Sequence, residues 1–262
     1  MSPSPTPPTG HPLPLTGERT LPGIPDERYW FLRHLIAYRL AAEVVAGLDA
    51  PVALDAGCGE GYGLALLRDA GAGRVIGVDL DEPTVAHARA RYGAADAGIE
   101  VVAAELREVP VPDDTVEVVV SFQVIEHLHD IPGFLAEMRR LTRPGGQVLL
   151  ATPNRLTFTP DSDTPVNPFH TVEFTAAELG RLLTRAGLLV ERILGVHHAG
   201  RLAEVERQRG VSVPRLLGET PADSWTPWLR ELVHGTEEAD FRIGDDDLDA
   251  SLDLLAVCRE PL

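Results

Sequence analysis

The chain has 262 residues, 44% of them hydrophobic, which suits a single domain with a sizeable core plus a cap or insertion. A formal net charge of -17 excludes a nucleic-acid partner and an anionic membrane surface, because both need a basic face. Two cysteines, Cys58 and Cys258, provide neither a disulfide framework nor a zinc site. With no signal-peptide pattern and no long apolar run, the expectation is a cytoplasmic protein without a membrane span.

Residues 1–25 are dense in Pro, Ser and Thr and are expected as a mobile tail. A helix is predicted from Asp26, as N-cap, to about Gly47, with an apolar face that includes Leu32, Leu35 and Ile36. Tyr29, Trp30 and Arg33 on it either touch a ligand or pack on a sheet. A strand over 52–54 ends in Asp55, glycines follow at 57, 59, 61 and 63, and a helix is predicted over 64–69. Further strands are predicted at 75–78, 99–103, 116–122, 147–151, 188–196 and 253–258. Between them fall helices at 84–92 (opened by Pro83), 132–141 and 176–186 (capped by Thr175), and a turn at 143–146. Residues 200–244 break this rhythm and read as a helical insertion between the last two strands. The acidic run before the final strand reads as a solvated loop.

Strand, glycine turn and helix start are the geometry that brings a backbone close to a nucleotide. A dinucleotide fingerprint needs a third small residue, and counting from Gly57 that position is Tyr62, which disfavours a nicotinamide-dependent oxidoreductase. An acid directly before the first glycine repels a pyrophosphate and attracts an ammonium. Asp79, at the end of the second strand and about 20 residues past the glycines, is placed for ribose hydroxyls. A ligand with an amino acid at one end and a ribose in the middle fits both acids, and S-adenosylmethionine (SAM) is such a ligand.

Asp55-Ala-Gly-Cys-Gly-Glu-Gly61, Asp79, Pro110-Val-Pro-Asp-Asp114 and Arg143-Pro-Gly-Gly146 resemble, in this order, the successive motifs of class I SAM-dependent methyltransferases. The resemblance spans roughly residues 50 to 190 and implies a Rossmann-like α/β fold: a seven-stranded, mostly parallel sheet with an antiparallel last strand and a small helical cap. It divides the chain into a tail (1–25), a SAM-binding core (26–199), a cap (200–244) and a final strand completing the core (245–262). It assigns the cofactor to Asp55, Gly57, Gly59, Gly61, Asp79, Leu80, Glu105 and Gln123, with Glu105 or its backbone neighbours beside the adenine. A cofactor-binding scaffold without turnover is the competing class, disfavoured by two histidines near the pocket.

Methyl transfer to oxygen needs an alcohol deprotonated as it attacks, and a histidine or a divalent metal can supply this. Glu126-His127 resembles the Glu-His step of ubiquinone-type and sugar O-methyltransferases, and His170 resembles the histidine of their His-x-x-x-Phe segment. Glu126, His127 and His170 are therefore the catalytic candidates. In the ubiquinone-type enzymes a Glu three residues before the Glu-His step helps hold a metal; here that place is Gln123, so no metal is assigned and Mg2+ stays open. Asn154 and Arg155 suit a hydroxyl-rich acceptor, or else Asn154 and Asn167 make turns beside proline.

Segments 16–20, 27–31, 122–128, 152–157, 163–171 and 248–255 are similar to an actinobacterial group. That group methylates glucose-containing polysaccharides and the mycofactocin oligosaccharide. The resemblance implies a small-molecule or oligosaccharide acceptor, with Trp225 or Trp228 available to stack on a sugar ring and a homodimer allowed. A small aromatic or lipid-like acceptor is the alternative.

Overall fold

The computed structural model describes Leu13 and residues 19–262. Nine α-helices and eight strands follow in chain order among the described residues. They are α1 (Arg28–Ala46), β1 (Val52–Ala56), α2 (Tyr62–Asp69), β2 (Arg74–Asp79), α3 (Glu82–Ala88), β3 (Ile99–Ala103), β4 (Val116–Phe122), α4 (Ile131–Leu141), β5 (Thr142–Pro153), α5 (Arg155–Phe158), α6 (Ala176–Arg185), β6 (Leu189–His198), α7 (Gly200–Arg209), α8 (Val213–Glu219), α9 (Pro227–His234), β7 (Phe241–Gly244) and β8 (Asp253–Arg259). The strands form one sheet in the order β3-β2-β1-β4-β5-β8-β6-β7. The β3-β2-β1-β4-β5 block is parallel, and β8 runs antiparallel to both β5 and β6.

Alternation along each strand splits the core between two faces. Ala53, Val75, Val118, Leu149 and Val257 face α1, α2 and α3. Their neighbours Leu54, Ile76, Val119, Leu150 and Cys258 face α4 and α6. A third cluster joins Tyr29, Leu32 and Leu35 of α1 to α7, α8 and α9 and to Phe241 of β7. At α6 the Thr175 hydroxyl accepts from Glu178 N while the Glu178 carboxylate accepts from Thr175 N, a reciprocal cap of the kind worth about 1 kcal/mol. No described helix is long and apolar enough to cross a membrane.

Four expectations need correction. The sheet has eight strands, because Phe241–Gly244, inside the stretch expected as helical, pairs antiparallel with β6. Four residues ending in glycine carry too little pattern to announce a strand. Residues 143–146 do not end a turn before β5; they bulge within it, so that Val116 pairs with Thr142 and Val118 already with Gln147. Asp26 does not cap α1. It sits in a 3-10 turn (Pro25–Glu27) and accepts from Arg230 and His234 of α9. The expected tail is anchored before residue 25: Leu21 is fully buried and Leu13 nearly so, while residues 1–12 and 14–18 lie outside the described residues.

Candidate active site

A cavity of about 660 Å³ opens outside the carboxyl ends of β1, β2 and β4, where ligands of open α/β sheets bind. The loop after β1 forms its floor. Gly57 N and Cys58 N donate to Val78 O at 2.8 and 2.9 Å, pinning the loop to β2. Gly57 has φ +90° and packs so closely that a side-chain carbon there would overlap Val124. Gly59, with φ +52°, has nothing within 4 Å of that position, so the space beside it belongs to the cavity. Gly61 lies against Tyr92 and Ala88. Glu60, invisible to the motif reading, is fully buried beneath the loop; Tyr92 Oη donates to it at 2.8 Å and His87 Nε2 lies 2.9 Å away.

Asp55 ends β1 completely buried. Tyr38 Oη donates to its Oδ2 at 3.0 Å, and Oδ1 has no described partner. Burial pushes this carboxyl up to about 7; the Tyr38 bond opposes the shift and the charge of Asp79 adds to it. Tyr38 lines the cavity and Asp55 stands behind it. The unmatched oxygen fits a cationic ligand group, and the open side of Gly59 fits a ligand pressed onto backbone. Asp79 accepts from Gly59 N and Asp81 N, both at 3.0 Å, which fixes the carboxylate at the cavity edge. Leu80 lies 65% exposed on the same wall. Glu105 and Arg107 also line it, 3.6 Å apart.

Gln123 sits at φ +57°, its N donating to Ala151 O at 2.8 Å and its amide Nε2 to Asp253 Oδ1 at 3.2 Å. Asp253 is in turn gripped by Arg33 through two 2.7 Å bonds, both partners buried. Arg33 therefore packs, as does Tyr29, whose hydroxyl meets His198 Nε2 at 2.8 Å. The cavity-lining residues of α1 are instead His34 and Tyr38, one turn apart.

The structure brings Glu126, His127 and His170 together, one ligand atom of each lying within 4.8 Å of the others. Glu126 is buried and accepts from the Thr152 hydroxyl at 2.9 Å; burial lifts its carboxyl to about 7. His127 lines the cavity, and its Nδ1 lies 3.1 Å from Phe169 O. A carbonyl only accepts, so Nδ1 carries the proton and, in the neutral ring, Nε2 carries the lone pair. His170 lies behind, its Nδ1 2.8 Å from the buried Glu173 carboxylate and its ring stacked on Phe158. One carboxylate and two imidazoles do not make the oxygen shell Mg2+ takes, and Gln123 is turned to Asp253, so these residues do not fit that ion.

Asn154 is buried, caps α5 and donates to the carbonyls of Leu248 and Ser251; Arg155 pairs with Glu178 and Asp163. Both are structural. Trp225 donates to Thr220 O, Trp228 lies under Arg209, and neither lines the cavity.

A methyltransferase-domain family matches residues 54–150. A Mycolicibacterium smegmatis protein named as a probable S-adenosylmethionine-dependent methyltransferase is 49% identical over 257 residues, 95% of this chain and 96% of that protein. This chain belongs to the SAM-dependent methyltransferases. A Mycobacterium tuberculosis member is 43% identical over 255 residues, 95% of this chain and 90% of its own length. In its fold the methyltransferase resembles a solved complex of Haloferax volcanii, of the Trm112 methyltransferase activator with a putative methyltransferase. The TM-score is 0.61 at 23% identity, over 88% of this chain and 90% of that one. SAM is thus the cofactor of this chain, and Rossmann-like class I its architecture.

Proposed function

We propose that this methyltransferase methylates a hydroxyl oxygen of a sugar or oligosaccharide, with His127 as general base. The carrying observation is the His127 ring, fixed through Nδ1 to Phe169 O on the cavity wall, so that Nε2 is its proton acceptor. SAM supplies a methyl on a positively charged sulfur, already activated for displacement. The chain supplies position: the Gly57–Gly61 backbone and Asp79 hold the ribose and methionine portions, and Leu80 and the 105–107 segment flank the base. Asp55, through Tyr38, faces the ammonium side. His127 takes the acceptor proton; the Phe169 carbonyl steadies the resulting imidazolium at Nδ1; His170, held by Glu173, packs edge-on against the ring.

The sugar acceptor is supported by the resemblance of segments 27–31, 122–128 and 163–171 to sugar-methylating enzymes. A second reading, an aromatic or lipid-like acceptor, is favoured by Phe169, 59% exposed on the cavity wall. Incubation with SAM and separate panels of glucans, catechols and hydroxy fatty acids, read by mass spectrometry, tests the choice. Methylated oligosaccharide supports the proposal. Methyl transfer confined to catechols or lipids overturns the acceptor class and leaves the methyltransferase intact.

A further inference from the structure

Gly59 is held from two directions. Its N–H donates to Asp79 Oδ2 at 3.0 Å, and the next residue, Glu60, sends its side chain beneath the loop. Asp79 Oδ1 meanwhile accepts from the N–H of Asp81, the N-cap of α3, at 3.0 Å. Helix α3 thus starts at the acid assigned to ribose, and its far end returns to the glycine loop.

That far end is irregular. Beyond Ala88 the helix runs on into a π-helical turn, Arg89–Gly93, in which Ala94 N donates to Arg89 O, five residues back, at 2.9 Å. Such turns are rare and frequently lie at functional sites. This one delivers Tyr92 to the underside of the loop. Its ring packs on Gly61, where a side-chain carbon would lie 2.8 Å from Tyr92 Cδ2, and its hydroxyl donates to Glu60 Oε2 at 2.8 Å. Burial and the charge of Glu60 raise the Tyr92 hydroxyl above its ordinary range, which keeps it a donor. At the other oxygen, Oε1, His87 Nε2 lies 2.9 Å away and Arg91 Nε 3.5 Å. His87, Arg91 and Tyr92 do not line the cavity. A buried charged cluster adds little net stability, since apolar side chains of the same volume do as well. What it supplies here is direction: with partners on both oxygens, Glu60 fixes the backbone at 59–61 against α3.

We propose that Glu60 and Tyr92 are positioning residues for Asp79. The latch they form under the loop sets where Gly59 N meets the Asp79 carboxylate, and so how that carboxylate is presented to the ribose of SAM. Both act through Gly59 rather than on the cofactor. The proposal rests on the ribose role of Asp79 given above.

The test is a double-mutant cycle on SAM affinity, by calorimetric titration of the full chain, with Tyr92→Phe and Asp79→Ala. Tyr92→Phe removes one oxygen, keeps the ring on Gly61 and leaves Glu60 short of a donor. It should weaken SAM by about fivefold or more, within the worth of a hydrogen bond to a charged group. In the Asp79→Ala background Gly59 N has no carboxylate to meet, and the same change should cost less than about twofold. Unchanged affinity in Tyr92→Phe overturns the proposal whatever its melting temperature, since the latch would then hold only the fold. So does an equal loss in both backgrounds, which would place the effect outside Asp79. An Asp79→Ala that binds SAM as the wild type does is a different failure: it removes the ribose reading, and the proposal with it.

Discussion

Adding one methyl group at Gly59 separates cofactor space from folding space, and the same change at Gly57 is its control. Gly59 has φ +52° and open cavity beside it, so Gly59→Ala meets no protein atom. The left-handed backbone costs alanine about 1–2 kcal/mol, and the stiffer unfolded chain returns up to about 1 kcal/mol. The net loss of about 1 kcal/mol lowers Tm by about 2–4 °C in a chain of this size. Gly57 has φ +90° and its methyl would overlap Val124. Overpacking of about 1–3 kcal/mol then adds to the same net loss of about 1 kcal/mol, for a total of about 2–4 kcal/mol. Calorimetry should give the opposite ranking to melting. Gly59→Ala should lose SAM affinity by about tenfold or more, because the methyl occupies the surface the ligand presses against. Full SAM affinity in Gly59→Ala, or a melt lower than that of Gly57→Ala, would refute the reading of the loop as a floor for the cofactor.

Asp79→Ala should remove most SAM affinity while the far-ultraviolet circular dichroism stays that of the wild type; unchanged affinity would end its ribose role. His127→Ala should abolish turnover and keep SAM binding, whereas His170→Ala should slow turnover less, through loss of ring support; a fully active His127→Ala removes the base. Asp55 and Glu126 titrate near 7 in the folded protein and near 4 unfolded, so the folded state holds extra protons between those values. Stability from this pair is therefore present below about pH 4 and lost as pH rises through about 7. Asp96, Glu137 and Glu178 are held below their ordinary range and titrate mostly under this window. His34, lowered to about 4, works the other way up to its unfolded value near 6.5, so the urea midpoint should fall most clearly from about pH 6.5 to pH 8, and less steeply in Glu126→Gln; a midpoint rising over that range would contradict the burial argument.

The parallel core was legible because buried strands announce themselves: 116–122 and 99–103 match β4 and β3 to the residue. The glycine motif and Asp79 likewise carry their own chemistry, since φ values of +90° and +52° and a strand-end acid follow from local sequence. What stayed hidden arises from distant partners. Tyr38 meets Asp55 across 17 residues, and His127 is oriented by a carbonyl 42 residues later. The anchoring before residue 25 was missed because a Pro-rich composition outweighed the apolar residues, Leu13 and Leu21, that tie the chain down. On α1 the expectation named the face of Tyr29 and Arg33, whereas the cavity receives His34 and Tyr38; helical periodicity marks a buried face without saying which part of it meets ligand.

The grip of Arg33 and Gln123 on Asp253 has a consequence for assembly. Asp253 opens β8, which follows every other strand in the chain yet lies between β5 and β6. The two residues that need it were made about 130 and 220 positions earlier. In the folded protein the pair is buried, and taking away one partner of such a pair costs about 3–5 kcal/mol. Gln123, at a positive φ beside the cavity, has its side-chain amide anchored on the same carboxylate. The cavity wall after β4 is thus tied to the last strand, and a chain ending before Asp253 is expected to lose that anchor.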